Sequence, residues 1–440
     1  MFYASQNKKS TPIGVAIVGA GTVGGGVLRL LRDNRKVIKA RCGRELKIVS
    51  IVVRNLKAAK RRLPAAEIKL LSNDWKMAAN DSQTDIVVEL MGGKKNAKRC
   101  IKTALNAGKA VVTANKALLA ENGDDIFSTG KTVAYEAAVA GCIPVVKILR
   151  EALAGDSIIE VCGIINGTCN YILSAMEKRG LSFKQALAEA QHHGYAEANP
   201  SLDINGTDAA HKLALIARLA YGAHPQMADI HTVRLKNLEH RDLGYAAQFG
   251  FCIKLLALAR LFKGRLQLSV QPMLVPKSHP LAAVDGVMNA VTVNTCYAGE
   301  TMYYGAGAGA GPTAVAVVAD LIDIVRKNGA QVGESPTHYA VAPAPLLSPN
   351  DAQAPYYLRL RVLDIPGVLA DITRLLAGAK ISIEAIYQNE STPQQEVDVI
   401  MLLHETSHGR VTVAVGKIEN LNSVADGVIV MPIKTPLKTP

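Results

Sequence analysis

Ile13-Gly-Val-Ala-Ile-Val18-Gly19-Ala-Gly21-Thr22-Val23-Gly24 decides the fold of this chain. A short, mostly apolar run reads as a buried strand, Gly-x-Gly-x-x-Gly follows at once, and the helical run Val27–Leu31 comes next. In that setting the first glycine permits a tight turn and the second lets a pyrophosphate approach the backbone. The third lets the helix pack close on the strand. The helix N-terminus then offers N–H groups and a partial positive charge to phosphate. Gly19, Gly21, Thr22, Val23 and Gly24 are therefore the expected dinucleotide contacts.

Working outward, Lys47–Val53, Asp85–Leu90, Ala110–Thr113 and Thr132–Tyr135 have strand patterns, with a helical run at Ala97–Ala107. Strand and helix alternating at this pace predict an α/β fold, a doubly wound parallel sheet with right-handed crossovers, over residues 1–143. The second strand ends Val53-Arg54-Asn55, with Lys57 close behind. An acidic residue at that tip would bind the ribose 2′-hydroxyl of NAD, whereas Arg54 suits a 2′-phosphate. NADP is the expected cofactor and NAD the alternative; a solvated surface arginine is the plainer reading of Arg54. Thr113-Ala-Asn-Lys116 runs from a strand into a helix, at the edge where open α/β sheets bind ligands. Lys116 is thus a candidate to touch nicotinamide or substrate, or else a lysine on a solvated first turn.

From Pro144 the texture changes to longer helical runs, at Pro144–Leu153, Ser182–His192, Thr207–Tyr221 and Tyr245–Leu261. Strand patterns intervene at Ile158–Ile165, Leu266–Pro272, Val291–Cys296 and Glu300–Tyr304, so residues 144–335 read as an α+β domain with a mixed sheet that could pair with a second copy. The helix over 314–327 is expected to pack back on the first domain. A linker over 336–354 follows, in a stretch whose residues 342–355 include four prolines. Residues 355–440 read as βαββαβ.

Within the second domain, Tyr195–Lys212 crowds Glu197, Asp203, Asp208 and Lys212 into one turn-plus-helix element. Asp208 and Lys212 stand four apart and share a helix face. Acids beside a lysine on an apolar helix suggest a pocket for a zwitterion; a helix-stabilising ion pair is the alternative. Tyr135-Glu136-Ala-Ala-Val139-Ala-Gly141-Cys142-Ile143-Pro144 joins the two domains, and such a loop can bind a hard cation through carboxylate and carbonyls or serve only as a hinge. Gly305–Thr313 has glycine at every second position up to Gly311, which permits close approach to a ligand or gives a flexible loop.

Composition bounds the rest. The chain has 440 residues, 49% hydrophobic and 20% charged, which suits two or three globular domains. It contains no apolar run of the ~18–20 residues a membrane span needs, and its first residues lack a signal-peptide core, so a cytoplasmic protein is expected. The seven cysteines form no Cys-x-x-Cys pair and the ten histidines no His-Glu-x-x-His motif, which argues against soft-ligand metal chemistry. Much of the +13 formal charge lies in Lys36–Arg62 and Lys94–Lys102, without aromatic interleaving. No nucleic-acid partner is expected, and phosphorylated cofactors or anionic metabolites are the natural ligands.

The combination resembles homoserine dehydrogenase. The match rests on Gly19–Gly26, Val87–Gly93, Thr113–Leu119, Tyr135–Pro144, Ile165-Asn-Gly-Thr-Cys-Asn-Tyr171, Gly194–Lys212 and Gly305–Thr313, seven segments in family order over about residues 13–330. The tail, with Asp364-Ile-Pro-Gly-Val-Leu369, resembles an ACT domain. Cys142, Cys169 and Asn199 stand where that family commonly has glycine, threonine and aspartate. The resemblance implies an oxidoreductase that reversibly converts L-aspartate 4-semialdehyde and NAD(P)H to L-homoserine, toward threonine and methionine. It implies Lys212 as proton donor, with Lys116 stabilising the same oxygen. Glu197 and Asp208 would hold the substrate ammonium and Asp203 would support the lysine. Gly194 and Gly309 would contact the cofactor. An alkali ion such as Na+ would sit at Glu136, Val139, Gly141 and Ile143, the last three through carbonyls. Threonine is the expected effector of the tail, and a homodimer or homotetramer the expected assembly. A related NADP-dependent semialdehyde reductase and a catalytically dead amino-acid sensor are the alternatives.

Overall fold

The computed structural model describes residues 11–235, 238–327, 343–388, 395–425 and 427–435. The expected boundary at 335 and the start of the 336–354 linker lie outside these residues. The described residues fall into two compact units, one drawn from 1–154, 218–222 and 306–342, the other from 155–217, 223–305 and 343–440.

The first unit is built on β1 (Ile13–Val18), β2 (Leu46–Val52), β3 (Leu71–Ser72), β4 (Ile86–Glu89), β5 (Ala110–Thr113) and β6 (Val133–Ala134). They lie in the order β3-β2-β1-β4-β5-β6 with every pairing parallel, the expected doubly wound sheet. Strand order reverses between β1 and β4, and the crevice beyond their C-terminal ends is where such sheets take ligands. All of β1 is buried, which is why it reads as an unbroken apolar run rather than an alternating one. Val15 and Ile17 share a core with Val27 and Leu28 of helix Thr22–Asp33 and with Val317 and Leu321 of helix Ala310–Arg326. Those two helices meet at Gly26, where a Cβ would lie 2.4 Å from the Ala310 carbonyl oxygen.

The second unit carries a mixed sheet of β7 (Ile158–Ile164), β8 (His231–Thr232), β9 (Phe251–Phe262), β10 (Arg265–Pro276), β11 (Met288–Thr295) and β12 (Gly299–Ala306), in the order β12-β11-β7-β9-β10-β8. Strands β9 and β10 pair from Phe262 and Arg265 at the turn to Phe251 and Pro276 at the open end. Lys263 and Gly264 turn the hairpin with φ of 49° and 74°, the mirror-image geometry that matches strand twist. One expectation fails here. Tyr245–Leu261 is not one helix; a helix runs over His240–Gln248, Gly250 turns at φ 80°, and β9 begins at Phe251. Cys252–Ala259 is buried throughout in the interior of the sheet, so it lacks the alternation that marks a half-exposed strand.

The C-terminal part of this unit is βαββαβ: β13 (Gln353–Leu363), helix Val368–Gly378, β14 (Ile383–Gln388), β15 (Glu396–Ser407), helix His408–Ile418 and β16 (Ile429–Pro432). The strands form an antiparallel sheet in the order β14-β15-β13-β16. Leu358, Leu360, Val399 and Met401 pack against Ile372, Leu376, Val411 and Ile418 of the two helices. Alternation turns Tyr357 and Arg359 to the opposite face. There Arg359 Nε donates to Asp242 Oδ1 at 2.6 Å, Arg241 pairs with Asp398 at 3.1 Å and Tyr245 donates to Asp398 at 3.0 Å. Beyond β16, Lys434 N–H donates to the Leu274 carbonyl of β10 at 2.8 Å. The C-terminal sheet is thereby joined to the mixed sheet through buried charge and main chain.

Candidate active site

In the first unit, the turn after β1 leaves no room for side chains at two positions. Gly19 has φ 106° and a Cβ there would lie 2.5 Å from the Leu90 carbonyl oxygen; a Cβ on Gly24 would lie 1.9 Å from that of Gly19. Gly21 caps helix Thr22–Asp33 without a side-chain hydrogen bond, and a Cβ on it would meet nothing within 4 Å. The first N–H groups of that helix, from Thr22 to Gly24, have no acceptor within the helix, which is the arrangement that suits phosphate. Gly309 caps the neighbouring helix Ala310–Arg326, whose first residue touches Gly26. Arg54 stands exposed just past β2. Arg62, which sequence reasoning missed, donates to the Ala20 carbonyl within the glycine turn at 3.1 Å; its only signal was the basic run Lys57–Arg62. We expect Gly24→Ala to raise the dissociation constant for a nicotinamide dinucleotide about tenfold or more, because helix and turn must separate. Fluorescence titration measures this, with circular dichroism as the check on folding.

Lys116 begins helix Lys116–Phe127 and is half-buried. Its position descends from Glu89, the last residue of β4, which is wholly buried. Glu89 accepts from the Thr113 hydroxyl at 2.6 Å and from Met91 N–H at 2.8 Å, and burial pushes its carboxyl up to about 7. Thr113 Oγ1 in turn accepts from Asn115 N–H at 3.1 Å. The Asn115 side chain caps the helix at Leu118 N–H and donates to the Gly93 carbonyl. The motif Val87–Gly93 is therefore a scaffold for Lys116, a role its sequence alone did not reveal.

In the second unit Lys212 is 8% exposed, and its ammonium donates to the Ile165 carbonyl at 2.6 Å and to Asp208 Oδ2 at 2.8 Å. Asn166 joins the acids: its Nδ2 donates to Asp203 Oδ1 at 2.7 Å and to Asp208 Oδ2 at 3.1 Å. Its Oδ1 caps helix Gly167–Arg179 at Cys169 N–H. Lys212, Asp208 and Asp203 are thus brought together, with Asn166 as a member missed from sequence because it lies far away in the chain. Glu197 is exposed and stands outside this bonded set, as does Gly194, at φ 73° beyond helix Phe183–His192. Asn199 accepts from Ser201 N–H and hydroxyl at 3.2 and 2.6 Å, so the amide serves as a turn acceptor where a carboxylate would do the same. The Cys169 thiol donates to the Asp203 carbonyl at 3.3 Å, and burial pushes it well up.

The loop Glu136–Ile143 is anchored by hydrogen bonds at its first residue. Both Glu136 carboxylate oxygens already accept backbone N–H groups, from Val146 at 2.9 Å and Lys147 at 3.0 Å. Ala140 and Gly141 lie consecutively at φ 53° and 61°, a left-handed pair that costs alanine about 1–2 kcal/mol and turns successive carbonyls. Val139, Gly141 and Ile143 are buried. Burial raises Glu136 to about 7, and burial with Glu136 as neighbour raises Asp320, which accepts from Glu136 N–H, to about 8. Among the described residues no group of three or more His, Cys, Asp or Glu side chains is placed to hold a metal, and no helix is long and apolar enough to cross a membrane.

The chain matches family models along most of its length: the homoserine dehydrogenase NAD-binding domain at residues 19–137, homoserine dehydrogenase at 144–322 and the ACT domain at 356–422. A homoserine dehydrogenase of Neisseria gonorrhoeae is 42% identical, over 94% of this chain and 96% of its own. The crystal structure of a homoserine dehydrogenase from Thiobacillus denitrificans is 44% identical, with a TM-score of 0.89 over 96% of this chain and 98% of its own. A hyperthermophilic archaeal homoserine dehydrogenase in complex with NADPH is 25% identical, with a TM-score of 0.61 over 71% of this chain and 97% of its own. The chain belongs to the homoserine dehydrogenase family, with an ACT domain after its catalytic region.

Proposed function

We propose that this enzyme interconverts L-aspartate 4-semialdehyde and L-homoserine with NADP as its preferred cofactor, using Lys212 as the proton donor. The buried Lys212–Asp208–Asn166–Asp203 cluster carries the proposal. A bound nicotinamide supplies the hydride that adds to the aldehyde carbon. Lys212 gives the developing alkoxide a proton, and solvent returns one to the amine. Its other donors hold it on Ile165 and Asp208, so it is aimed before the substrate arrives. Lys116 stabilises the same oxygen, a charge effect that preorganised donors perform well. Asp208 and Glu197 hold the substrate ammonium, while Asn166 fixes Asp203 and Asp208 relative to each other.

Gly19, Gly21, Thr22, Val23 and Gly24 bind the pyrophosphate, with Gly194 and Gly309 as further cofactor contacts. Arg54 and Arg62 favour the 2′-phosphate of NADP, and the NADPH complex of the archaeal relative supports that choice. A steady-state assay of homoserine oxidation with NADP and NAD at equal concentration tests it. We expect a higher rate with NADP, and a loss of that preference in Arg54→Ala/Arg62→Ala; equal rates in the parent reject it. Glu136 together with the carbonyls of Val139, Gly141 and Ile143 is the proposed alkali-ion site, because the left-handed pair at Ala140 and Gly141 turns main-chain oxygens. We further propose a cytoplasmic homodimer or homotetramer whose ACT domain takes threonine as an inhibitor. The intact lysine cluster speaks against a sensor that has lost catalysis.

A further inference from the structure

We propose that a chamber in the second unit, between the mixed sheet and the C-terminal sheet, binds a small amino acid as its zwitterion. The inference rests on the reading that the C-terminal region takes an amino-acid effector, and gives that effector a place. The outer part of the chamber has a volume of 240 Å³, with His231 of β8, Gln271 of β10, Tyr356 of β13, His408 and β16 around it. The deeper part, 30 Å³, shares His231, Gln271, Tyr356 and His408 and is closed by Glu160, Ser269 and Lys434. The deep part admits about two water-sized groups, and the outer part has room for the rest of a small metabolite.

Three polar atoms around the deep part have no hydrogen-bond partner among the described residues: Glu160 Oε2, Ser269 Oγ and His231 Nε2. Buried polar atoms are nearly always paired, so three orphans around one space call for an occupant. The walls carry both signs. Glu160 Oε2 requires a donor, which an ammonium supplies. Lys434, 2.8 Å from Glu160 Oε1, and Arg260, 3.8 Å from Oε2, provide positive charge for a carboxylate, with Ser269 and Gln271 as further donors. The rings of His231 and His408 touch, with centroids 4.6 Å apart, and together form part of the wall. Val233, Leu238 and Val430 add an apolar wall for a short side chain.

The position also explains how an occupant could reach the chemistry. Glu160 belongs to β7, and that strand leads directly into Ile165 and Asn166, which hold Lys212, Asp203 and Asp208. One strand therefore has the chamber near one end and the proton donor at the other.

The test uses the intact protein. Threonine is titrated by calorimetry, and its effect on homoserine oxidation is measured, in the parent and in Ser269→Ala and His231→Phe. We expect parent binding with inhibition. In each variant we expect a dissociation constant about tenfold higher or more, with the rate in the absence of threonine unchanged. Should His231→Phe fail to fold, Ser269→Ala alone carries the comparison. If threonine binds and inhibits both variants as it does the parent, the chamber is the wrong place and feedback stands. If the parent binds none of threonine, serine and valine, chamber and feedback fall together, and ordered water fills the space.

Discussion

Lys212→Ala lowers turnover in homoserine oxidation by at least about 10²-fold while the cofactor still binds. Placed acid–base groups contribute about 10²–10⁴ in rate, and Lys212 is the cation held within the acidic cluster. Its loss removes the ammonium bonded to Asp208 and to the Ile165 carbonyl. The glycine turn, Arg54 and Arg62 belong to other elements and are untouched, so affinity for the dinucleotide should not change. Lys212→Arg is a sharper control. It keeps the charge, but a planar guanidinium that cannot give up its proton replaces the amine. Steady-state rates with a fluorescence titration of NADPH decide the matter; a variant with parental turnover removes Lys212 from the chemistry, whatever the family.

Asp242→Ala is expected to destabilise the second unit by about 3–5 kcal/mol, the usual result of stranding one member of a buried ion pair. Asp242 is 0% exposed and Arg359 2%. Beyond the 2.6 Å bond between them, Asp242 also accepts from Tyr357 OH and lies beside Arg359 Nη2 at 3.3 Å. In a unit of this size the loss corresponds to a fall of about 10 °C in the unfolding midpoint. Replacing both partners, Asp242→Leu with Arg359→Met, should recover most of the stability, because desolvation of the pair offsets much of its attraction. A double variant as unstable as Asp242→Ala would show that the loss does not come from the stranded charge.

The same contacts change how regulation must be tested. Deletion of residues 350–440 is the direct test that a separate C-terminal domain invites. In the structure that segment supplies Arg359 to Asp242 and Lys434 to Glu160. Deletion would leave two carboxylates in the catalytic part without their buried partners. Lost activity in such a truncation reports instability, and point changes at the chamber are the cleaner probe.

What could be read from the sequence was local. Gly19–Gly24 is legible because turn, strand and helix are all set within a dozen residues. Asp208 and Lys212 are legible because a helix fixes the distance between residues four apart. Asn166 was not, since its two acids lie 37 and 42 residues away and nothing local marks the contact. Glu197 shows the converse: near in sequence to the cluster, it stands exposed at the end of a turn. Tyr245–Leu261 was misread because a strand covered on both faces loses its alternation. The attachment of the C-terminal sheet was invisible, since it joins Glu239, Arg241 and Asp242 to Arg359 and Asp398.

The main-chain bond from Lys434 to Leu274 has a consequence for biogenesis. The ribosome makes Leu274 about 160 residues before the group that covers it, a delay of about 10–30 s at ordinary elongation rates. During that interval the nascent mixed sheet has an uncovered border, the kind of surface chaperones recognise. Slow codons after residue 276 would prolong the exposure, and synonymous changes that speed that stretch should raise the soluble yield.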